Sequence, residues 1–507
     1  MSYRKFFLRS APILLGAAAL TLSAFYYAPK EWESKFVHIN ADGTISYTAD
    51  EKGNTIPDFS RVGYFGGDKA IPDVAVVKTI SADGDNSQQV IQAAIDEVAA
   101  RTPDANGFRG AILLKKGTYK IGGAITVKTS GIVLRGEGDD TRLIATGTTQ
   151  RSLINISGSG SIKEAGAHIK ITDDYVPVGT FSFNIASANG FKVGDNVILY
   201  RPGTDQWVSD LKMDQIVERK GTKQWTAKEY NLSYERVITK IEGNKVYLNE
   251  PVVLAMEPKY GGGELFKYTF PGRIAQVGVE NLYCESEYTS DTAENHGWTA
   301  VEFDKAENGW VRNVTAKYFG YSCVHLNDDA KFFTITDCKY LDGKSVITGG
   351  RRYSFNNDGQ LNLVMNCYST DARHDFVTGA RVKGPNVFFN CSAKRTHADI
   401  GPHHRWATGT LYDNIKTDGE INVQDRGYMG SGHGWAGVNQ VLWNCDVKAA
   451  AVQAPWVSGN NFSIGTQGEK KEGSFKGRNE GIWEGQNKKG LTPASLYLAQ
   501  LKARKGK

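Results

Sequence analysis

Between Lys344 and His433 the chain concentrates side chains that bind anions and move protons. Successive segments read Gly349-Gly350-Arg351-Arg352, Asp371-Ala372-Arg373-His374-Asp375, Lys394-Arg395-Thr396-His397-Ala398-Asp399 and Gly401-Pro402-His403-His404-Arg405-Trp406. Seven of the nine histidines lie from His296 onward. Guanidinium forks match planar carboxylates and tetrahedral sulfates, and an imidazole titrates near neutral pH. Together these types suit a reaction on an anionic polymer. Cleaving a uronan by β-elimination requires a neutralised carboxylate, a base for the acidic ring proton and an acid for the leaving oxygen. Arg352, Arg373 or Arg405 could neutralise, His374 or His404 could take the proton, and Tyr412 or the other histidine could supply one. Lys344, Arg351, Arg381, Arg395, His397, His403, Arg426 and His433 are the further candidates for substrate contact, with Asp375 and Asp399 placed to orient imidazoles. The alternative is a solvated face whose cations form ion pairs with Asp371, Asp375 and Asp399.

Other chemistries remain open on the same residues. A glycoside hydrolase needs two carboxyls roughly 5 to 10 Å apart, and Asp375 with Asp399 are the candidates. His374, His397, His403 and His404 could ligate zinc, but the short spacings typical of zinc sites are absent. Calcium held by surface carboxylates is open, and no cofactor is certain. Asp291 and Glu294-Asn295-His296 could border a groove, as could Gln424-Asp425-Arg426 and Gly432-His433-Gly434.

Such residues need a scaffold that brings distant segments into register, and the sequence carries one as a repeat. Asn281, Asn313, Asp337, Asn366, Asn390 and Asn444 each precede an apolar or Cys residue, and successive markers are 32, 24, 29, 24 and 54 residues apart, the last gap being two coils. These are coil lengths of a right-handed parallel β-helix, with each Asn at a bend where it tolerates the left-handed conformation. Cys338, Cys367, Cys391 and Cys445 follow the marker and read as a column of small buried side chains, with disulfides the alternative. Seven residues past a marker come Lys344, Arg373 and His397, and nine past it come Asp375 and Asp399. Stacked coils would set such equivalents about 5 Å apart, the spacing of paired strands.

Short apolar runs at residues 110–114, 124–127 and 131–134 read as the first coils. Ahead of them Val90, Ile91, Ala94, Ile95 and Val98 share one face of a helix that could cap the open end. From about Asp173 to Tyr268 the rhythm stops and hairpin strands predict a small β insertion. Its Trp207, Trp225, Tyr230 and Tyr234 are suited either to stack on sugars or to pack the insertion. A short helix is expected at residues 493–501.

At 507 residues one solenoid suffices, since coils stack without a second core. The net charge of +5 is too modest for a strongly basic nucleic-acid binder. Arg4, Lys5 and Arg9 precede an apolar run from Ala11 to about Phe25, which reads as a signal peptide or an uncleaved anchor within residues 1–30. The expectation is therefore a secreted or periplasmic monomer, meeting a membrane only through that segment, with an acidic polysaccharide as its partner.

Asp58-Phe59-Ser60, Gly63-Tyr64-Phe65-Gly66-Gly67, Asp83-Gly84-Asp85-Asn86, the Ile91-to-Ile95 helix and Leu134-Arg135-Gly136-Glu137-Gly138 resemble the opening of the pectate-lyase superfamily. With the coils included the resemblance covers about residues 56 to 460. It implies a β-helix and an activity on polysaccharides, since that group holds lyases, polygalacturonase-like hydrolases, uronan epimerases and tailspikes. The calcium-binding acidic cluster of classical pectate lyases has no counterpart here. Asp328-Asp329 and Gly432-His433-Gly434 lie about a hundred residues apart, unlike the close pair of polygalacturonase-like enzymes. Lysis is the leading expectation, with a hydrolase, a C5 epimerase or a non-cleaving glycan binder as alternatives.

Overall fold

The computed structural model describes residues 31–506, so the expected export segment at residues 1–30 lies outside the described residues. The chain forms a right-handed parallel β-helix, the hand that parallel crossovers adopt. Twenty-eight strands belong to one parallel-stacked sheet system. Each coil contributes three faces, as in Lys331–Thr336, Lys339–Leu341 and Tyr353–Asn357, followed by Leu363–Met365, Tyr368–Thr370 and His374–Thr378. Register runs unbroken along the first face, Thr336 to Met365 to Phe389 to Asp413 to Trp443 to Ile464.

The asparagine markers turn the corner between the first and second faces. Asn281, Asn313, Asp337, Asn366, Asn390 and Asn444 all have φ between 50° and 57°, where Asn is tolerated better than most residues. Asn414, φ 56°, supplies the corner inside the 54-residue gap, which is two coils. Side-chain amides bond from coil to coil, Asn313 Nδ2 to Asn281 Oδ1 at 2.9 Å, Asn390 to Asn366 at 2.7 Å and Asn444 to Asn414 at 2.9 Å.

The interior is a stack of apolar side chains. All six cysteines are free and buried, packed as small hydrophobes. Phe355 stacks on Phe376 at 5.5 Å, and Phe388 on Tyr412 at 5.4 Å. Burial of each such side chain contributes about 1.5–3 kcal/mol, repeated along the axis.

The helix Ser87–Ala99 covers the first coils with buried Ile91, Ala94, Ile95 and Val98. It also satisfies exposed backbone: Gln88 Oε1 accepts from Gly123 N at 2.7 Å, and Gln92 Oε1 from Thr126 N at 3.0 Å. The terminal helix Leu496–Lys505 lies against the outside of the first face, where Leu496 and Tyr497 pack with Leu411, Val441 and Trp443. Asp413 anchors its start by accepting from Tyr497 N at 2.7 Å and Ser495 Oγ at 2.8 Å.

A six-stranded antiparallel sheet interrupts the coils, running from the strand Lys163–Lys170 to the strand Glu264–Thr269. It therefore begins earlier than the break in coil rhythm near Asp173. Trp207, Trp225, Tyr230 and Tyr234 are all buried in the core it shares with Trp406 and Trp435 of the coils. Packing, not sugar stacking, accounts for these four aromatics. A buried ion cluster ties this sheet to the helix: Glu235 accepts from Arg273 at 2.6 and 2.7 Å, from Lys331 at 2.7 Å and from Tyr268 at 2.6 Å.

Candidate functional site

The third face carries the polar side chains. Its strands Gly297–Asp304, Ser322–Leu326, Tyr353–Asn357, His374–Thr378 and Asp399–Pro402 stack in parallel. One row of equivalent positions reads Glu302, His325, Asn356, Val377 and Gly401. Two residues further along each chain, continuing register and backbone bonds align Asp304, Asn327, Asp358, Gly379 and His403. At about 4.8 Å per strand step such a row spans about 19 Å.

Four histidines meet at one end of these rows. The ring of His403 lies 4.4 Å from His374, 5.1 Å from His404 and 5.0 Å from His433, and His404 lies 4.8 Å from His433. Tyr353 packs against His374 at 4.9 Å and against His403 at 5.3 Å. Burial is the main cause that holds these imidazoles neutral. It lowers His374 and His404 to about 4 and His433 to about 3, and His403 falls well below the usual value. The neighbouring cations Arg373, Arg405 and Arg426 push in the same direction. His374 Nδ1 lies 2.6 Å from the carbonyl oxygen of Asp399. A carbonyl only accepts, so Nδ1 carries the hydrogen and Nε2 keeps its lone pair. The Nδ1 atoms of His403, His404 and His433 are buried without partners. His374 and His403 form the floor, while His404 and His433 are half-buried and reach the surface.

The cations divide into two groups. Arg351 is held by Glu294 at 2.6 and 2.9 Å, Lys344 by Asp291 at 2.9 Å, Arg395 by Asp371 and Asp342, and Arg426 by Asp399 at 2.7 Å. Buried Arg352 bonds the backbone carbonyl of Ser345 at 2.6 Å. Among the described residues, Arg373, Arg381 and Arg405 have no carboxylate partner. Arg405 donates to Ser431 at 2.9 and 3.0 Å, Arg373 to the Gly349 carbonyl, and Arg381 lies 5.8 Å from the ring of Tyr230. Arg405 and Arg381 both act on His404 through their charge. These three can bind an incoming anion without first breaking an ion pair.

The other end is acidic. His325 Nε2 lies 3.1 Å from Asp358 Oδ2, and its Nδ1 lies 3.7 Å from Glu302. Burial opposes charge on this ring, but Asp358, Glu302 and Asp304 outweigh it and raise its pKa. Asp358 is half-buried, and His325 and Asn356 hold it below the usual carboxylate range. It also accepts from Gly379 N at 2.9 Å, and its charge acts on His404. Just beyond, carboxylate oxygens of Asp304, Asp328 and Asp329 all lie within 4.8 Å of one another, the arrangement among the described residues that could hold calcium. Burial and the Asp328 charge raise Asp329.

Two assignments made from the sequence are corrected. Tyr412 is fully buried in the interior stack, its ring against Phe388, so it cannot meet a substrate as an acid. Asp375 is register-equivalent to Asp399 but fully buried, with both carboxyl oxygens enclosed and its pKa raised by burial to about 7. It neither contacts substrate nor pairs with Asp399 as a hydrolase dyad. Arg352, Arg351, Lys344 and Arg395 serve structure and surface ion pairs, and exposed His397 faces a cleft with Asp418, Glu420 and Asn422 that the Asp399–Arg426 pair also borders. His374, His403, His404, Arg405, Arg373, Arg381, Asp399, Arg426 and His433 do come together. Tyr353, Tyr321, His325, Asn356, Asp358 and Glu302 join them without having been singled out. Counting from the markers misses them because the corner loop before the third face is variable. It holds residues 342–352 in one coil and only 371–373 in the next.

No protein-family model matches the chain, and no curated protein matches it in sequence. Solved structures do. A tailspike protein, gp49 of Pseudomonas phage LKA1, is 16% identical with a TM-score of 0.43, over 74% of this chain and 55% of its own. An alginate lyase from a Paenibacillus species is 10% identical with a TM-score of 0.40, over 81% of this chain and all of its own. The catalytic domain of a GH87 α-1,3-glucanase in complex with nigerose is 11% identical with a TM-score of 0.37, over 84% and 67%. The likeness is one of fold. The chain spans 55% and 60% of the first two matched structures, the second being ORF18 of Geobacillus virus E2.

Proposed function

We propose that the protein is an exported polysaccharide lyase of the pectate-lyase-like kind, cleaving a uronic-acid-containing polysaccharide by β-elimination at the His404 end of the third face. One observation carries this reading: imidazoles held neutral by burial adjoin three arginines that no carboxylate of the described residues neutralises. Arg405 and Arg381 bind the uronate carboxylate and draw charge from the ring, which acidifies its C5 hydrogen. His404, neutral at working pH, takes that proton. The electron pair forms the C4–C5 double bond, the C4–O bond breaks, and the departing oxygen takes a proton from Tyr353. Burial raises the pKa of that phenol, so it is protonated and able to donate. The uronate also offsets the arginine charges that depress His404, so substrate binding strengthens the base. Arg4, Lys5 and Arg9 ahead of the apolar run support export.

A hydrolase is the second reading, favoured by the raised Asp329 beside Asp328. An acid beside an ionised carboxylate is what glycoside hydrolysis uses.

Ultraviolet absorbance of unsaturated uronate, followed while the protein acts on a panel of uronic-acid polysaccharides, tests the proposal. A rise that His404→Ala abolishes is expected. New reducing ends without a rise would move the chemistry to the carboxylates.

A further inference from the structure

The two ends of the third face differ in charge, and a chain lying along it must satisfy both. His403, at one end of the second row, adjoins His404 and the unpaired arginines, whereas Asp304 at the other end adjoins Asp328 and Asp329. Asp358 links the halves, bonded to Gly379 N and acting through its charge on His404. The row spans about 19 Å by strand spacing, room for several pyranoses.

Resting on the elimination reading for its location, we infer that the substrate is a heteropolysaccharide whose uronate residues are separated by uncharged sugars, not a homopolymeric uronan. The Arg373, Arg381 and Arg405 end takes the charged sugar, and the Glu302, Asp304 and Asp358 end takes neutral, hydroxyl-rich ones. A homopolymer brings a carboxylate with every sugar, so the residues beyond the uronate site would press anions against Asp358, Glu302 and Asp304. The basic groups bonded to these carboxylates, His325 and Lys305, are already engaged by Asp358 and Asp304; more distant Lys383 and Arg273 act on Asp329. Sugar hydroxyls, by contrast, are donors, and carboxylates are acceptors. Asn356 adds an acceptor of its own, for its Oδ1 is enclosed without a partner and the residue is 3% exposed.

The test is equilibrium binding by calorimetry, with chelator present so that no divalent cation masks the carboxylates. Two oligosaccharides of equal length are compared, a homo-uronate and a mixed one carrying a single uronate flanked by neutral hexoses. The mixed oligosaccharide is expected to bind at least tenfold tighter. Asp304→Asn/Asp328→Asn is expected to narrow the gap by strengthening homo-uronate binding several-fold. Asp328→Asn alone, an exposed change that leaves the fold intact, is expected to act in the same direction more weakly. Equal affinities in the unaltered protein, or a preference unmoved in all variants, overturns the inference. Because binding needs no turnover, a preserved preference without unsaturated product counts against elimination alone. Equal kcat/KM on homo-uronan and mixed polymer counts against this inference alone.

Discussion

His325 and His404 are both packed into the third face, yet the pKa of the same side chain is raised at one end and lowered at the other. His325 lies between Glu302 and Asp358, which overcome the cost of burying a cation. His404 lies among His403, His433 and arginines, where burial and like charge together outweigh the pull of Asp358. Burial alone therefore does not set the role of a histidine here. Neighbours do: carboxylates beside one ring favour its charged form, whereas the other ring, bonded to no carboxylate among the described residues, is left a base beside free guanidinium groups.

The largest effect that sharpens this contrast is on catalysis. His404→Ala is expected to lower kcat by about 10²–10⁴-fold, the usual contribution of a general base, with an unchanged unfolding temperature. His325→Ala is expected to cost stability instead. A rate loss from His325→Ala equal to that from His404→Ala, at full stability, would erase the distinction between the ends. Asp358→Asn comes next, leaving His325 without its main partner. Loss of a buried ion-pair partner costs about 3–5 kcal/mol, and partial exposure brings the expected value nearer 2 kcal/mol by denaturant titration.

The pH dependence of stability has a defined sign. His374 has a folded pKa of about 4, below the unfolded value of about 6.5. Between these values the unfolded chain binds a proton that the folded one does not. Stability from this group is full above about 6.5 and is lost as pH falls towards 4, by about 3 kcal/mol at roughly 1.4 kcal/mol per pKa unit. Denaturant midpoints measured across that range should fall with acidification, and His374→Gln should flatten the slope. Asp375 acts oppositely. Its folded pKa of about 7 exceeds the unfolded value, so its burial favours folding least at alkaline pH, and Asp375→Asn should stabilise the protein there. The smallest effect belongs to Tyr412→Phe. The hydroxyl has no partner, so activity should be unchanged and stability should shift by less than about 1 kcal/mol.

The scaffold was legible in the sequence because one residue type does one repeated job. Asn281 through Asn444 mark the same corner in each coil, and even the corner at Asn414 is implied by a doubled interval. The terminal capping helix was legible from its apolar period. The site was legible only as a neighbourhood. His374, His403, His404 and Arg405 lie within a short stretch and fold together, but Tyr353, His325 and Asp358 reach them across coils whose corner loops differ in length. Asp375 misled for a related reason. Spacing from a marker gives the position along a coil, whereas facing inward or outward depends on how the following corner is turned. Tyr412 was offered for its residue type, which does not tell an interior phenol from an exposed one. The insertion aromatics looked available for sugars, but the side on which they pack is set by Trp406 and Trp435, far away in sequence.

The most direct measurement is the mass of the cleavage products formed in heavy-oxygen water. Elimination by the imidazole and arginine end predicts fragments with an unsaturated terminal uronate and no heavy oxygen incorporated. Incorporation of one heavy oxygen at the new reducing end would contradict it and place bond cleavage with the carboxylates of Asp304, Asp328 and Asp329.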